Sequence, residues 1–256
     1  MRRIEGLFLT FSAAGSIVIL ILLIPMILAP LMTNPTQLAK ALMDSEILGA
    51  LSITFAGATL ATLLALIFGV PLAYVMARRE FAFKRLLESL LNIPLTIPHS
   101  VAGILVLLAY HSRSSIGSIL SSLGIVIEDT LWGIVLAMFF VSSPILISSA
   151  RAGFSMIDEN LEYVARTLGA SHYKTFLTVT LPLSLKAIAS GAMLTWARAV
   201  SEVGALLIVA PYPKSIALLV IERFEAFGLS SAIPITVILL AMSLAIVLIL
   251  NYVLGR

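Results

Sequence analysis

The chain has 256 residues, of which 60% are apolar and only 11% charged, with a formal net charge of +3 and no cysteine. A soluble domain carries about 25% charged residues, so this composition excludes one and places the chain among integral membrane proteins. The lack of cysteine excludes disulfides, thiolate metal sites and a cysteine nucleophile, and no basic face suggests a nucleic-acid partner.

The N-terminal MRRIEGLFLTFSAAG puts basic residues ahead of an apolar run that continues to about Leu31. The apolar core of a cleavable signal is about 7–15 residues, so the run is expected to be a first transmembrane helix over 11–32. A crossing needs about 20 apolar residues, and five further stretches qualify, at 48–77, 89–110, 131–150, 187–210 and 230–253. The second is overlong, which predicts a tilt or a start outside the bilayer. Pro94 and Pro98 fall within the third. Each removes a helix hydrogen bond and predicts a kink, whose freed carbonyls must be buried in protein or line a watery cavity. That kink is a candidate gate or a packing feature, and His99 beside it is a structural hydrogen-bonding group or a ligand.

The fifth stretch carries Arg198 and Glu202, four residues apart and the only charges placed deep within a span. Each alone is costly in hydrocarbon, so both are expected to face the bundle interior and to meet on one helix face. They form a self-neutralised structural pair, or Arg198 helps an anion through a pore that Ser201 also lines. Gly191, Ala192, Ala197, Ala199, Gly204 and Ala205 keep this helix slim for close packing. One transmembrane domain over 1–256 accounts for the chain.

The positive charges set an orientation. With the N-terminus inside, the inner segments hold eleven Lys and Arg residues and the outer ones four, Arg198 completing the sixteen. That bias predicts a multi-pass protein with both termini cytoplasmic. It also puts segment 151–186 on the inner side, as a structured polar insertion longer than a connection requires.

Within it, Leu161, Val164, Ala165 and Leu168 recur at helical spacing. Asp158, Glu159 and Asn160 precede them as cap and dipole partners, and Gly169 ends the helix. Ser171 is positioned to cap a second short helix through Phe176 and Leu177, and Pro182 marks the start of the next span. The segment therefore reads as helix, glycine turn, helix on the inner surface, resting on lipid headgroups or gripped by a partner. No nucleotide-binding glycine loop occurs, since GASHYKT lacks the spacing, and no Ser, His and Asp arrangement or lipase elbow supports an enzyme. No His or carboxylate cluster suggests a metal site.

LEYVARTLGASHYKTFLTVTLP (161–182) resembles the cytoplasmic motif of ABC importer membrane subunits: Glu-Ala-Ala, three residues, Gly, nine residues, then Ile-x-Leu-Pro. Ala165 matches the second alanine, Gly169 the glycine, and Leu181 and Pro182 the final pair, while Tyr163 and Val164 stand where the motif has Glu and Ala. Glu162 lies one position before the motif's Glu. GVPLAYVMARR, IPLTIPHSVAGIL, TWARAVSEVGA and VIERFEAFGLSSA extend the likeness to molybdate or tungstate permeases, with sulfate permeases sharing much of it. The resemblance implies an all-α type I importer permease with six transmembrane helices, working as a homodimer in the cell membrane. Residues 161–182 would be the coupling helix, with Glu162, Ala165, Leu168, Gly169, Leu181 and Pro182 contacting or shaping the contact with a separate ATPase. Two such ATPase subunits would bind ATP and Mg, and this chain would need no cofactor. An extracytoplasmic oxyanion-binding protein would deliver the ion, and Pro94, Pro98, His99, Arg198, Ser201 and Glu202 would be pore or gate residues. Sulfate or thiosulfate import is the alternative within the family. A gradient-driven transporter is disfavoured by the motif and by the lack of an inverted repeat.

Overall fold

The computed structural model describes residues 2–254; Arg256, counted among the inner charges, lies outside the described residues. All regular structure within them is helical. In chain order the helices are α1 (Arg2–Met32), α2 (Pro35–Met43), α3 (Ser45–Leu64), α4 (Val70–Arg78), α5 (Lys84–Asn92), α6 (His99–Tyr110) and α7 (Ser115–Ser122). There follow α8 (Leu131–Ser155), α9 (Glu159–Thr167), α10 (His172–Thr175), α11 (Leu181–Val200), α12 (Gly204–Val209), α13 (Ile216–Phe227) and α14 (Leu229–Leu254). Among the described residues five helices are long and apolar enough to cross a membrane, and six if the bent pair Lys84–Leu95 and His99–Tyr110 is one crossing.

Two compact units share the chain. The first comprises Met1–Leu48 and Val220–Ile246. In it, almost every described side chain of α1 is exposed, as suits a helix that meets lipid. Arg223 pairs with Asp44 at 3.7 Å and with Glu46 at 2.5 Å, tying α13 to the start of α3.

The second unit comprises Gly49–Leu219 and Val247–Arg256. Its centre is α8, which packs against α4, α6, α11 and α12. Ile134, Met138, Val141, Leu146 and Phe154 of α8 are buried. Lipid tails are as apolar as these side chains, so close packing rather than escape from water must hold the helices together. The small residues show how: a Cβ on Gly191 would lie 2.7 Å from the Ser149 Cβ, and α11 approaches α8 that closely only because none is there.

Two wide π-helical turns, Ala65–Gly69 and Phe176–Thr180, join α3 to α4 and α10 to α11. Each ends two residues before a proline, Pro71 or Pro182. A proline lacks the amide hydrogen, and its ring crowds the carbonyl four residues back; one widened turn absorbs both effects without breaking the helix.

Three expectations need correction. The third span is not a kinked helix: α5 and α6 are bent by 115°. Pro94 sits in a tight 3-10 turn, Ile93–Leu95, and Pro98 precedes α6, so two missing amide hydrogens within five residues end one helix and begin another. The fifth span is not 187–210. The helix runs from His172 through the π turn to Val200, and Gly204–Val209 is a separate short helix. It follows that Ser171 caps the start of this span rather than of an independent helix, accepting from the Lys174 amide at 3.2 Å, and that Pro182 lies inside the span.

Between α6 and α8, Glu128 fixes the 111–130 connection by accepting from the Ser112 amide at 2.7 Å and the Ser112 hydroxyl at 2.8 Å. Burial pushes its carboxyl up, but these bonds, its own amide and nearby His111 outweigh that and hold it below the usual carboxylate range.

Candidate functional site: a buried carboxylate latch and an arginine cluster

The helix α9 is amphipathic in an inverted sense. Asp158 caps it, accepting from the Asn160 amide at 2.9 Å. Leu161, Val164 and Leu168, the apolar stripe, are exposed, Leu168 by 84%, whereas Glu162 is only 7% exposed. A carboxylate is buried only when its oxygens are satisfied and its charge is met. Arg78, at the end of α4, donates Nε to Glu162 Oε1 at 2.9 Å. Thr180 Oγ1 donates to the same oxygen at 2.9 Å, and the Tyr74 hydroxyl to Oε2 at 3.2 Å. Arg78 also donates to the Ile157 carbonyl at 3.1 Å. Beneath the carboxylate, the rings of Tyr74, Phe154 and Phe176 pack with centroids 4.8 to 6.1 Å apart.

This latch holds α9 to α4 and to the π turn. Arg166 donates to the Glu162 carbonyl at 3.3 Å and lies over the Tyr163 ring at 4.6 Å. Gly169 makes the turn with φ +92°, and a Cβ there would meet nothing within 4 Å. The position therefore needs glycine for its backbone conformation, not for space. Of the expected coupling residues, Glu162 is buried, Ala165 and Leu181 are half-buried, and Leu168, Gly169 and Pro182 are exposed.

The second constellation brings together four of the six expected pore residues. Arg198, in the last turn of α11, donates Nη2 to Glu202 Oε2 at 2.8 Å and Nη1 to Ser201 Oγ at 3.2 Å. Both His99 ring nitrogens lie within 2.9 Å of Arg198 Nη2; the one without a proton accepts. Glu202 lies beyond the end of α11, not on it, and its other oxygen accepts from the Ala205 amide at 2.8 Å, starting α12. One fully buried carboxylate thus neutralises Arg198 and caps a helix. His99 opens α6, and a Cβ on Gly204 would lie 2.7 Å from the His99 Cβ, so this glycine permits the close approach of α12 to α6. The side chains of His99 and Arg198 keep 44% and 23% of their surface open. Pro98 adjoins the cluster and is exposed, while Pro94 is buried apart from it in its own turn.

Sequence reasoning missed Arg78, Tyr74 and Thr180. The available signal was Glu162 itself, an acid beside the motif that needs a basic partner, with Arg78 at a span end. Among the described residues no group of three His, Cys, Asp or Glu could hold a metal ion.

A family profile described as "Binding-protein-dependent transport system inner membrane component" matches residues 69–256. The chain is 44% identical to a molybdate/tungstate transport system permease protein of Thermococcus kodakarensis, covering 100% of this chain and 99% of the relative. A probable sulfate transport system permease protein of Nephroselmis olivacea is 36% identical over 80% of this chain and 74% of the relative. Among solved structures, a bacterial ABC transporter that imports the acidic polysaccharide alginate superposes with a TM-score of 0.74 at 17% identity, covering 100% of this chain and 98% of that one. An inward-facing methionine ABC transporter superposes with a TM-score of 0.58 at 17% identity, covering 82% and 91%. These superpositions establish the type I importer permease fold. The helices, the profile and the full-length relatives agree, and the chain belongs to the family of binding-protein-dependent transport system inner membrane components, membrane-spanning permease subunits of ABC importers and not enzymes.

Proposed function

We propose that two copies of this chain form the pore of an ATP-driven importer for molybdate or tungstate in the cell membrane. Each copy engages one ABC ATPase, which binds ATP and Mg, and an extracytoplasmic binding protein delivers the oxyanion. The observation that carries the ion is identity of 44% and 43% over the full chain to two molybdate/tungstate permeases. A related solved structure described as a complex with a periplasmic protein supports the kind of partner. In reconstituted vesicles with the ATPase and binding protein, ATP-dependent tungstate uptake is expected to persist in excess sulfate. Suppression by sulfate would move the assignment to sulfate.

In this reading α9 is the coupling helix. Its exposed Leu161, Val164 and Leu168 face the ATPase, Glu162 and Ala165 hold and shape it, Gly169 turns it, and Leu181 and Pro182 join it to the fifth span. Arg198, His99 and Ser201 meet the passing anion, and Glu202 anchors them. Conduction requires a site that attracts an ion without trapping it, and the adjacent carboxylate offsets the arginine's hold on a dianion. Pro94 and Pro98 shape the bend that places His99.

Both termini and α9 lie on the cytoplasmic side, as the charge bias supports. Ala82→Cys and Met156→Cys, at exposed positions outside the spans, should react with an impermeant thiol reagent only from inside, and Ser115→Cys only from outside. Labelling of Met156→Cys in intact cells would overturn the orientation and the coupling role together.

Gly169 gives a graded test. A side chain in the left-handed region costs about 1–2 kcal/mol, most for β-branched residues and least for asparagine. Gly169→Val should leave the spans inserted but reduce ATPase co-purification and binding-protein-stimulated hydrolysis several-fold, with Gly169→Asn intermediate. Full stimulation in Gly169→Val would reduce α9 to an interfacial helix.

A further inference from the structure

A cavity of about 730 Å³ opens between α4, α9, α10 and the following π turn. We propose that it holds one anionic phospholipid, its phosphodiester on Arg79 and Arg166 and its apolar part against Pro71 and Val75. The proposal goes beyond transport and stands whichever ion is carried.

Charge comes first. The lining holds three arginines, Arg78, Arg79 and Arg166, against two carboxylates, Glu159 and Glu162. Arg78 is committed to Glu162 and the Ile157 carbonyl. The Arg79 amide closes α4 on the Val75 carbonyl at 2.9 Å, but its guanidinium makes no hydrogen bond or ion pair among the described residues. The excess is one positive charge, with histidine neutral, which suits a phosphodiester monoanion better than a free phosphate dianion. Arginine is also the side chain best matched to phosphate geometry.

The second observation is Thr175. It lines the cavity, is 2% exposed, and its hydroxyl has no hydrogen-bond partner. Buried polar groups rarely stay unpaired, and a small shift on occupation would give this one an acceptor.

Depth supplies the third. Pro71 and Val75 are exposed side chains of the span Ser45–Arg78, and Arg78 and Arg79 mark its end. The cavity therefore straddles the boundary between hydrocarbon and headgroups, apolar on one side and basic on the other. An amphiphile with an anionic head matches both sides, and basic pockets at helix ends are known to take such heads. The occupant would also touch Tyr74, a donor to Glu162, and so bear on the latch.

The test is lipid retention by the full chain in its complex with the ATPase. The complex is purified in detergent, exposed to mixed micelles of phosphatidylglycerol and phosphatidylcholine, washed, and weighed by native mass spectrometry. One phosphatidylglycerol per chain is expected, retained several-fold better than phosphatidylcholine. Val75→Trp, which fills the cavity, and Arg79→Gln, a surface change that leaves the latch intact, should each reduce retention several-fold. Lys84→Gln, at a nearby lysine that opens α5, pairs with Glu80 at 2.6 Å and does not line the cavity, should not. Equal retention of the two lipids, unchanged retention in Arg79→Gln, or an equal loss in Lys84→Gln would overturn the proposal. So would inorganic phosphate displacing the lipid at equal concentration, because the apolar half would then contribute nothing. Loss of ATPase from Val75→Trp with lipid retention unchanged would assign the cavity to the ATPase instead.

Discussion

Replacing Glu162 by leucine is expected to release α9 from α4 and to abolish most ATP-driven uptake while leaving the spans inserted. The carboxylate is the shared acceptor for Arg78, Tyr74 and Thr180. Without it, Arg78, whose side chain is only 9% exposed, is a buried cation with no carboxylate at hydrogen-bonding distance. Breaking one side of a buried pair costs about 3–5 kcal/mol, enough to free a nine-residue helix that makes few other contacts. Tyr74→Phe removes one bond to the carboxylate and leaves the pair, so it should cost about 1.5–3 kcal/mol. Arg78→Met combined with Glu162→Leu removes both charges and should recover part of the thermal stability lost by Glu162→Leu alone. Thermal unfolding in detergent, ATPase co-purification and vesicle uptake measure the three effects. A Glu162→Leu protein with native melting and native ATPase binding would show that α9 is held by something other than this carboxylate.

The second large effect belongs to Arg198 and Glu202. Arg198→Gln strands a carboxylate that is 1% exposed. Its bond to the Ala205 amide remains, but the guanidinium that offset its charge is gone. Folded yield should fall sharply, in line with a loss of about 3–5 kcal/mol. Arg198→Gln with Glu202→Gln should restore much of the yield, since a neutral amide can still accept from Ala205. Uptake should not return with it, because the guanidinium proposed to meet the anion is gone. Recovery of both yield and uptake in the double variant would make the pair purely structural.

The long apolar helices were readable because length and hydropathy alone define a crossing: α8 and α14 begin and end within a few residues of expectation. The fifth span was not, and the reasons are specific. Apolar residues continue through Gly204–Val209, so hydropathy is blind to the break at Ser201, which is made by one carboxylate bonding one amide. At the other end, His172–Thr175 is polar, which hides its continuity with the apolar helix beyond. Pro94 and Pro98 announced a disturbance, but a reversal of 115° depends on two prolines acting in concert across one turn. At the site, the motif resemblance drew attention to Glu162 and Gly169, and the four-residue spacing to Arg198 and Glu202. Arg78 and Thr180 reach Glu162 across 84 and 18 residues, and no periodicity records a partner that distant. The outward apolar stripe of α9 was legible as a pattern, but its direction was set by where the carboxylate found its counter-charge.

The uninterrupted helix from His172 to Val200 has a mechanical meaning. Its 29 residues, at about 1.5 Å each, make a rod roughly 40 Å long. One end begins three residues after the Gly169 turn, and the other carries Arg198. The widened turn at Phe176–Thr180 keeps the backbone hydrogen-bonded through the proline, so the rod has no joint at which a thrust could be lost. Pivoting by about 5° would sweep its far end by roughly 3–4 Å, on the scale of a hydrogen bond. That is enough to part the guanidinium from His99, so a small tilt at the Gly169 end is felt at full hydrogen-bond scale at Arg198.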